Sequence, residues 1–354
     1  MAGNKYTNMK VFHFKEKVDS LPLSAGVLAP IHVRVKPTNR CNHRCSYCAY
    51  RAKGLQLGED MQAEDFIPKN KMMELLDDFE NMGVKALTFS GGGEPFCYPY
   101  LLETVKKLSK TNIKFATLTN GSLLKCEIAK IFANHATWVR VSMDGWDDHS
   151  YAEQRNVREG EFSNIIKNIR DFIDISKECS LGVSIIVGQK NANHVLELMR
   201  ILAEIGVDNI KISPCIISNN SQENYEYHQP IQQVVKDQIK QAKQEFSNLE
   251  IYDSYNAQLT TFDKSYTWCP HLQVLTVIGA DCNVYSCQDK AYNLREGLLG
   301  SLKDQRFRDL WFSDKTRFFK INPSVHCNHH CVADEKNKRL LEYLNVDLDN
   351  LDFV

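Results

Sequence analysis

Three cysteines stand close together in Cys41-Asn42-His43-Arg44-Cys45-Ser46-Tyr47-Cys48, spaced C-x3-C-x2-C. Twelve cysteines scattered at random over 354 residues would give this pattern about once per hundred chains. Thiolates on so short a loop can wrap a [4Fe–4S] cube, which normally takes four cysteine ligands. The loop offers three, so one iron would stay open to an external ligand. Zinc is the alternative, but zinc loops favour paired C-x2-C or C-x4-C units with a fourth ligand nearby, and His43 inside the loop is poorly placed for that. A second group follows far downstream: Cys269, Cys282, Cys287, Cys327 and Cys331. Cys97, Cys126, Cys179 and Cys215 are isolated, and their default role is that of small buried hydrophobes.

These residues need elements to hold them. His32 to Pro37 alternates like a strand and runs straight into the cysteine loop. Met72, Leu75, Leu76 and Phe79 mark one face of a helix over 70–82, stopped at Gly83. Ala86 to Ser90 reads as the next strand, and Gly91-Gly92-Gly93-Glu94-Pro95 follows it. A glycine run after a strand permits close backbone approach to a ligand or simply a tight turn, and its glutamate can accept from an ammonium. The alternation continues with strands near 113–118, 137–143, 181–187 and 209–213. Helices are expected near 99–108, 123–132, 162–173, 192–205 and 231–246. Six β–α units between 32 and 247 predict an α/β fold with a parallel sheet and helices outside, two units short of a closed eightfold barrel. Further on, 273–278 and 283–286 read as a hairpin, with a helix within 300–312 and another from Cys327 to about Leu344.

Composition sets bounds. A formal net charge of −1 argues against a nucleic-acid partner. The first ten residues are polar and lack a signal-peptide core, and no apolar run reaches the length of a membrane span. Cysteine-rich and without a secretion signal, the chain is expected in the cytoplasm, with thiolates used for metal. No internal repeat is visible.

The cysteine loop resembles the signature of the radical S-adenosylmethionine (radical SAM) superfamily, and Gly92-Gly93-Glu94-Pro95 resembles that family's Gly-Gly-Glu-Pro motif one strand–helix unit later. The resemblance implies a partial (β/α)6 barrel over 31–247. Its open cluster iron would chelate S-adenosylmethionine, whose cleavage yields a 5′-deoxyadenosyl radical that takes a hydrogen atom from the substrate. Cys41, Cys45 and Cys48 would hold the cluster. Gly92, Gly93 and Glu94 would engage the methionine amino group, Ser142 the ribose and carboxylate, and Asn120 the ribose. Arg155, expected in a loop, would pair with the carboxylate, and Tyr47 would pack near the adenine. Turn capping or a surface ion pair is the alternative for Asn120, Ser142 and Arg155, and a plain loop aromatic for Tyr47.

The downstream cysteines resemble the twitch form of the SPASM extension, a hairpin and helix holding an auxiliary [4Fe–4S] cluster, here over 269–345. That resemblance assigns Cys269, Cys287, Cys327 and Cys331 as its ligands and leaves Cys282 out; His329 or His330 replacing one thiolate, and a zinc knuckle, are the alternatives. Residues 1–30 are then an N-terminal extension, 248–268 a connector and 346–354 an acidic tail. The chain also resembles radical SAM aminocyclitol dehydrogenases. They imply a small-molecule dehydrogenase acting on a carbohydrate or cyclitol alcohol, fed by a flavodoxin- or ferredoxin-type electron donor, with Lys211, His271 and Asp289 as polar candidates for a base. Peptide or protein modification and redox-neutral sugar epimerisation are the rival reactions.

Overall fold

The computed structural model describes residues 6–176, 178–260 and 262–353. Strand β1 (His32–Val35) forms because its valines alternate with polar residues. Val33 and Val35 are wholly buried in the main core, while His32 and Arg34 point to the opposite face. β2 (Ala86–Phe89) and β3 (Lys114–Thr119) follow. β4 (Trp138–Ser142) repeats the alternation, burying Val139 and Val141 and turning Trp138, Arg140 and Ser142 inward. β5 (Ser180–Val187), β6 (Asn209–Pro214) and β7 (Glu250–Asp253) complete a run of seven parallel strands in chain order. The strands curve around a lumen lined by their polar faces.

The helices cover the apolar face. α1 (Lys69–Met82) buries Met72, Leu75, Leu76 and Phe79, and Gly83, at φ 78°, ends it in the left-handed conformation that glycine adopts without strain. α2 (Leu101–Leu108), α3 (Cys126–His135), α4 (Asp148–Arg155) and α5 (Glu161–Ile175) follow. α6 (Val195–Ile205), α7 (Ser221–His228) and α8 (Gln232–Glu245) close the set. The expected strands and helices of the six units are all present within a few residues. Among the additional elements are β7, which lies in the stretch expected as a connector, and the helices α4 and α7. Arg155 is accordingly the last residue of a helix rather than part of a loop.

The C-terminal extension is built onto the barrel's own sheet. β8 (Leu275–Ile278) pairs in parallel with β1, His32 opposite Leu275 and Val35 opposite Ile278. β9 (Asn283–Tyr285) returns antiparallel as the expected hairpin. β10 (Leu298–Ser301) adds a tenth strand, and the helix expected within 300–312 is α9 (Phe307–Ser313). The helix α10 (Asp334–Leu344) packs Leu340 against Val18, Leu21 and Val274, so the N-terminal extension and the C-terminal helix share a small core. Lys315 fastens the same segment, its Nζ donating to the carbonyls of Ser20 at 2.6 Å and Ala25 at 2.8 Å. Among the described residues no helix is long and apolar enough to cross a membrane.

Candidate active site

The cysteine loop leaves the C-terminal end of β1, and all three of its cysteines are free, half-buried thiols. Burial pushes the Cys41 thiol up to about 12 and raises Cys45 and Cys48 as well. A bare thiolate is disfavoured there, and a metal that neutralises all three makes the loop chemically sensible. The loop is anchored by its backbone to the end of α4: Arg44 N donates to the Arg155 carbonyl and Ser46 N to the Gln154 carbonyl, both at 3.0 Å. α4 itself starts at a capping box, in which the Asp147 carboxylate accepts from Ser150 N at 2.6 Å and the Ser150 hydroxyl accepts from Asp147 N at 3.0 Å.

The glycine run is pressed against the chain that leads into the cysteines. Gly93 N donates to the Thr38 carbonyl and Glu94 N to the Arg40 carbonyl. A Cβ at Gly93 would lie 2.1 Å from the Arg40 carbonyl oxygen and 2.4 Å from the Asn39 carbonyl carbon, both backbone atoms that cannot swing aside. A Cβ at Gly92 would meet the Asn39 side chain at 2.1 Å. These glycines are required by close approach. Gly93→Ala is therefore expected to lower stability by about 1–3 kcal/mol and to weaken S-adenosylmethionine binding at least tenfold in equilibrium dialysis. Unchanged binding would mean that this turn holds nothing.

Glu94 is buried at the end of β2 and held by three donors: the Thr119 hydroxyl at 2.6 Å, Asn120 N at 2.7 Å and Phe96 N at 3.1 Å. Burial raises its pKa against the pull of those bonds. A carboxylate has about four acceptor positions, so one remains for an ammonium. Asn120 ties this corner to the cysteine loop, its amide donating to Asn42 Oδ1 at 2.8 Å, while Asn42 donates to Ser122 Oγ at 2.7 Å. Cys97 Sγ lies 3.7 Å from the same Asn42 oxygen.

Asp144, just beyond β4, organises the other side. Its carboxylate accepts from Arg155, from the Tyr47 hydroxyl and from Ile186 N at 2.8 Å. Tyr47 is thus held by a hydrogen bond, with the Arg155 guanidinium 5.7 Å from its ring centroid. Arg155 is committed to Asp144 through Nη2, whereas its Nε is buried without a partner among the described residues. Ser142, facing the lumen opposite Ser184, makes no side-chain hydrogen bond among the described residues.

The second thiol group gathers around the hairpin. Cys287 feels the charges of Cys327 and Cys269, and Cys331 those of Cys287 and Cys269; burial raises all four thiols, Cys269 to about 11. Asn337 donates to Cys269 Sγ at 3.2 Å. Cys282 sits apart in the hairpin turn at φ 59°, with Asp281, Lys71, Lys303 and Asp65 as its charged neighbours. His329 Nδ1 lies 2.6 Å from the His330 carbonyl, and its Nε2 is buried without a partner among the described residues. His330 Nδ1 meets the Gln258 carbonyl at 3.0 Å. Two thiolates on one zinc ion stand within about 4.6 Å of each other, twice the Zn–S bond. Among the described residues no group of three Cys, His, Asp or Glu side chains is already gathered around a single metal position.

Sequence reasoning missed the residue that links the two groups. Lys36, wholly buried just after β1, donates to the Tyr50 hydroxyl, to the Gly91 carbonyl and to Gln288 Oε1 at 2.9 Å. It joins the glycine turn, the chain after Cys48 and the residue after Cys287. Its one sequence signal is an inward position on a strand that ends at a proline. Among the base candidates, His271 is buried and pushed down to about 3, Lys211 faces the lumen, and Asp289 stands beside the second thiol group.

Residues 35–202 match the family model of the Radical SAM superfamily. Over 305 residues the chain is 24% identical to the tungsten-containing aldehyde ferredoxin oxidoreductase cofactor-modifying protein of Pyrococcus furiosus, covering 80% of this chain and 81% of that one. It is 27% identical to the GTP 3′,8-cyclase of Staphylococcus epidermidis over 47% of this chain, and spans only about half of that relative's length (49%). Streptococcus suis SuiB shares the fold at a TM-score of 0.61 and 15% identity, over 89% of this chain and 73% of that one. BtrN superposes at a TM-score of only 0.46, too low to carry the expected likeness to aminocyclitol dehydrogenases. Together the comparisons support a radical SAM core over residues 35–202 and a fold shared with SuiB across 89% of this chain.

Proposed function

We propose that the chain is a radical SAM oxidoreductase acting on a small polar molecule in the barrel lumen, oxidising a carbohydrate or cyclitol alcohol to the carbonyl. The observation that carries this reading is the pair of thiol groups flanking one lumen: Cys41, Cys45 and Cys48 follow the end of β1, while Cys269 precedes β8 and Cys287 follows β9, level with the start of β1. When bound, the first cluster and S-adenosylmethionine supply a radical that removes one hydrogen atom from the carbinol carbon. A second cluster on Cys269, Cys287, Cys327 and Cys331 would accept the remaining electron, and a base facing the lumen would take the hydroxyl proton. Around that chemistry, Gly92 and Gly93 leave room for the methionine moiety and Glu94 offers its last acceptor position to the amino group. Ser142 presents a free hydroxyl. Asn120 and Asp144 hold the surrounding loops in register, and Arg155 and Tyr47 act through Asp144. The Pyrococcus relative, named for modifying a cofactor, fits a small-molecule substrate.

The test is the mass of the product formed anaerobically with candidate sugars and cyclitols. Loss of two hydrogens supports oxidation, whereas retained mass with inverted stereochemistry replaces it by epimerisation. Peptide modification is the second reading. It is favoured by a polar cleft of about 430 Å³ beside Cys327, lined by Gln56, Glu59, Arg295, Glu296, His326 and His329. The SuiB structure of the same fold is bound to a precursor peptide. A peptide that co-purifies and gains a mass change on turnover would establish that reading.

A further inference from the structure

Four basic side chains gather around the lumen. Arg34 of β1, Arg140 of β4 and Lys211 of β6 occupy inward positions, alternating with Val33 and Val35, Val139 and Val141, and Ile210 and Ile212, all fully buried on the helix side. Lys336 of α10 lies within electrostatic reach of Lys211 and Arg34. The four cations repel one another: Arg140, Arg34 and Lys336 all disfavour the Lys211 ammonium, and Arg34 and Lys10 disfavour that of Lys336.

Counter-charges are scarce. Neither Lys211 nor Lys336 makes a hydrogen bond or ion pair among the described residues, and neither is solvated as a surface lysine would be. Arg34 donates one Nη1 bond to Gln288 at 3.0 Å and Arg140 a long Nη2 bond to Asn209 at 3.4 Å; the Nε of each is buried and unpartnered. Asp289 is the carboxylate that favours the Lys211 ammonium, and it also faces the thiols of Cys287 and Cys331. Glu250 on β7 accepts from the Tyr252 hydroxyl at 2.7 Å. The thiols answer part of this charge, Cys287 and Asp289 favouring the Arg34 guanidinium and Cys331 the Lys336 ammonium, while Lys264 and Lys290 stand beside Cys327 and leave Lys211 with Asp289 alone. Unpaired cations in a partly desolvated cavity are costly unless a ligand brings the opposite charge.

We propose that the lumen binds an anionic group of a small-molecule substrate, a phosphate or a carboxylate, between Lys211, Lys336 and Arg34, with Arg140 adding to the field from below. The inference rests on the radical SAM oxidoreductase reading for its choice of a small molecule; the anion site itself rests on the side chains alone. It narrows the substrate from a neutral sugar or cyclitol to a phosphorylated or acidic one.

The test uses the anaerobically reconstituted full chain, with inorganic phosphate and succinate as separate probes against chloride at matched ionic strength. The readouts are the melting temperature and the dissociation constant by calorimetry. One or both probes are expected to raise the melting temperature of the wild type beyond chloride, and the tighter probe identifies the group. Lys211→Gln and Lys336→Gln are each expected to weaken that binding roughly ten- to hundredfold, the range for losing a hydrogen bond to a charged group. Lys211→Arg should retain it. Without added anion, Lys211→Gln should melt no lower than the wild type, because a repelling charge has gone. No anion-specific shift in the wild type, or binding by both glutamine variants as tight as that of the wild type, overturns the proposal. S-adenosylmethionine cleavage, assayed on the same samples, separates the two readings. Anion binding without cleavage upholds this site while removing the oxidoreductase, and cleavage without anion binding removes this site alone.

Discussion

With Cys41, Cys45 and Cys48 all changed to Ala, the chain purified without oxygen is expected to keep about four irons and to lose S-adenosylmethionine cleavage completely. The three thiols lie on one loop, and no other cysteine replaces them. Cys97, the nearest outsider, bonds to Asn42 and stands beside Glu94. The remaining four irons would belong to Cys269, Cys287, Cys327 and Cys331, whose mutual electrostatic contact does not depend on the first loop. Iron near zero with about one zinc per chain would make the second group a structural staple. The dehydrogenase reading would then have no electron acceptor, and a redox-neutral radical reaction would take its place.

The second large effect is expected at Asp144. It and Arg155 are both almost fully buried, so Asp144→Ala leaves a guanidinium without its counter-ion and should cost about 3–5 kcal/mol in urea unfolding of the iron-free chain. The same change releases Tyr47 and Ile186 N, and it loosens α4, on whose last carbonyls the cysteine loop hangs. Iron retention at the first site should fall with stability. Asp144→Ala combined with Arg155→Met should recover a large part of the loss, because the unpaired charge is then gone as well. A double variant no more stable than Asp144→Ala alone would show that the carboxylate matters through its backbone and tyrosine bonds and not through the arginine.

The barrel was readable because its strands and helices carry two clean periods. Val33 and Val35, or Ile165, Ile166 and Ile169, report burial on one face wherever they occur. α4 was not readable that way: its buried residues, Ser150, Tyr151, Gln154 and Arg155, are mostly polar, so burial leaves no apolar stripe. Its signal lay in Asp147 and Ser150, a cap three residues apart. β7 escaped for a related reason. It is an edge strand whose Glu250, Ile251 and Tyr252 are only half-buried. At the candidate site the cysteines, Gly93 and Glu94 announced themselves by spacing. The commitments of Arg155 and Tyr47 to Asp144 did not, since a side chain's partner across more than ten residues is a tertiary fact. Lys36 was hidden by the opposite problem: a lysine in a strand reads as solvent-facing until three loops are found closing over it.

The parallel ladder between β8 and β1 bears on what the C-terminal third is for. Ile31 N donates to the Val274 carbonyl and Lys36 N to the Ile278 carbonyl, so the pairing runs the whole length of β1. A protein cut off before β8 would present that flank as a raw strand border, the kind of surface on which chains stack into aggregates. The extension is therefore the missing stave of the barrel and not a pendant, and the distance between the two thiol groups is set by a single continuous hydrogen-bonded fabric.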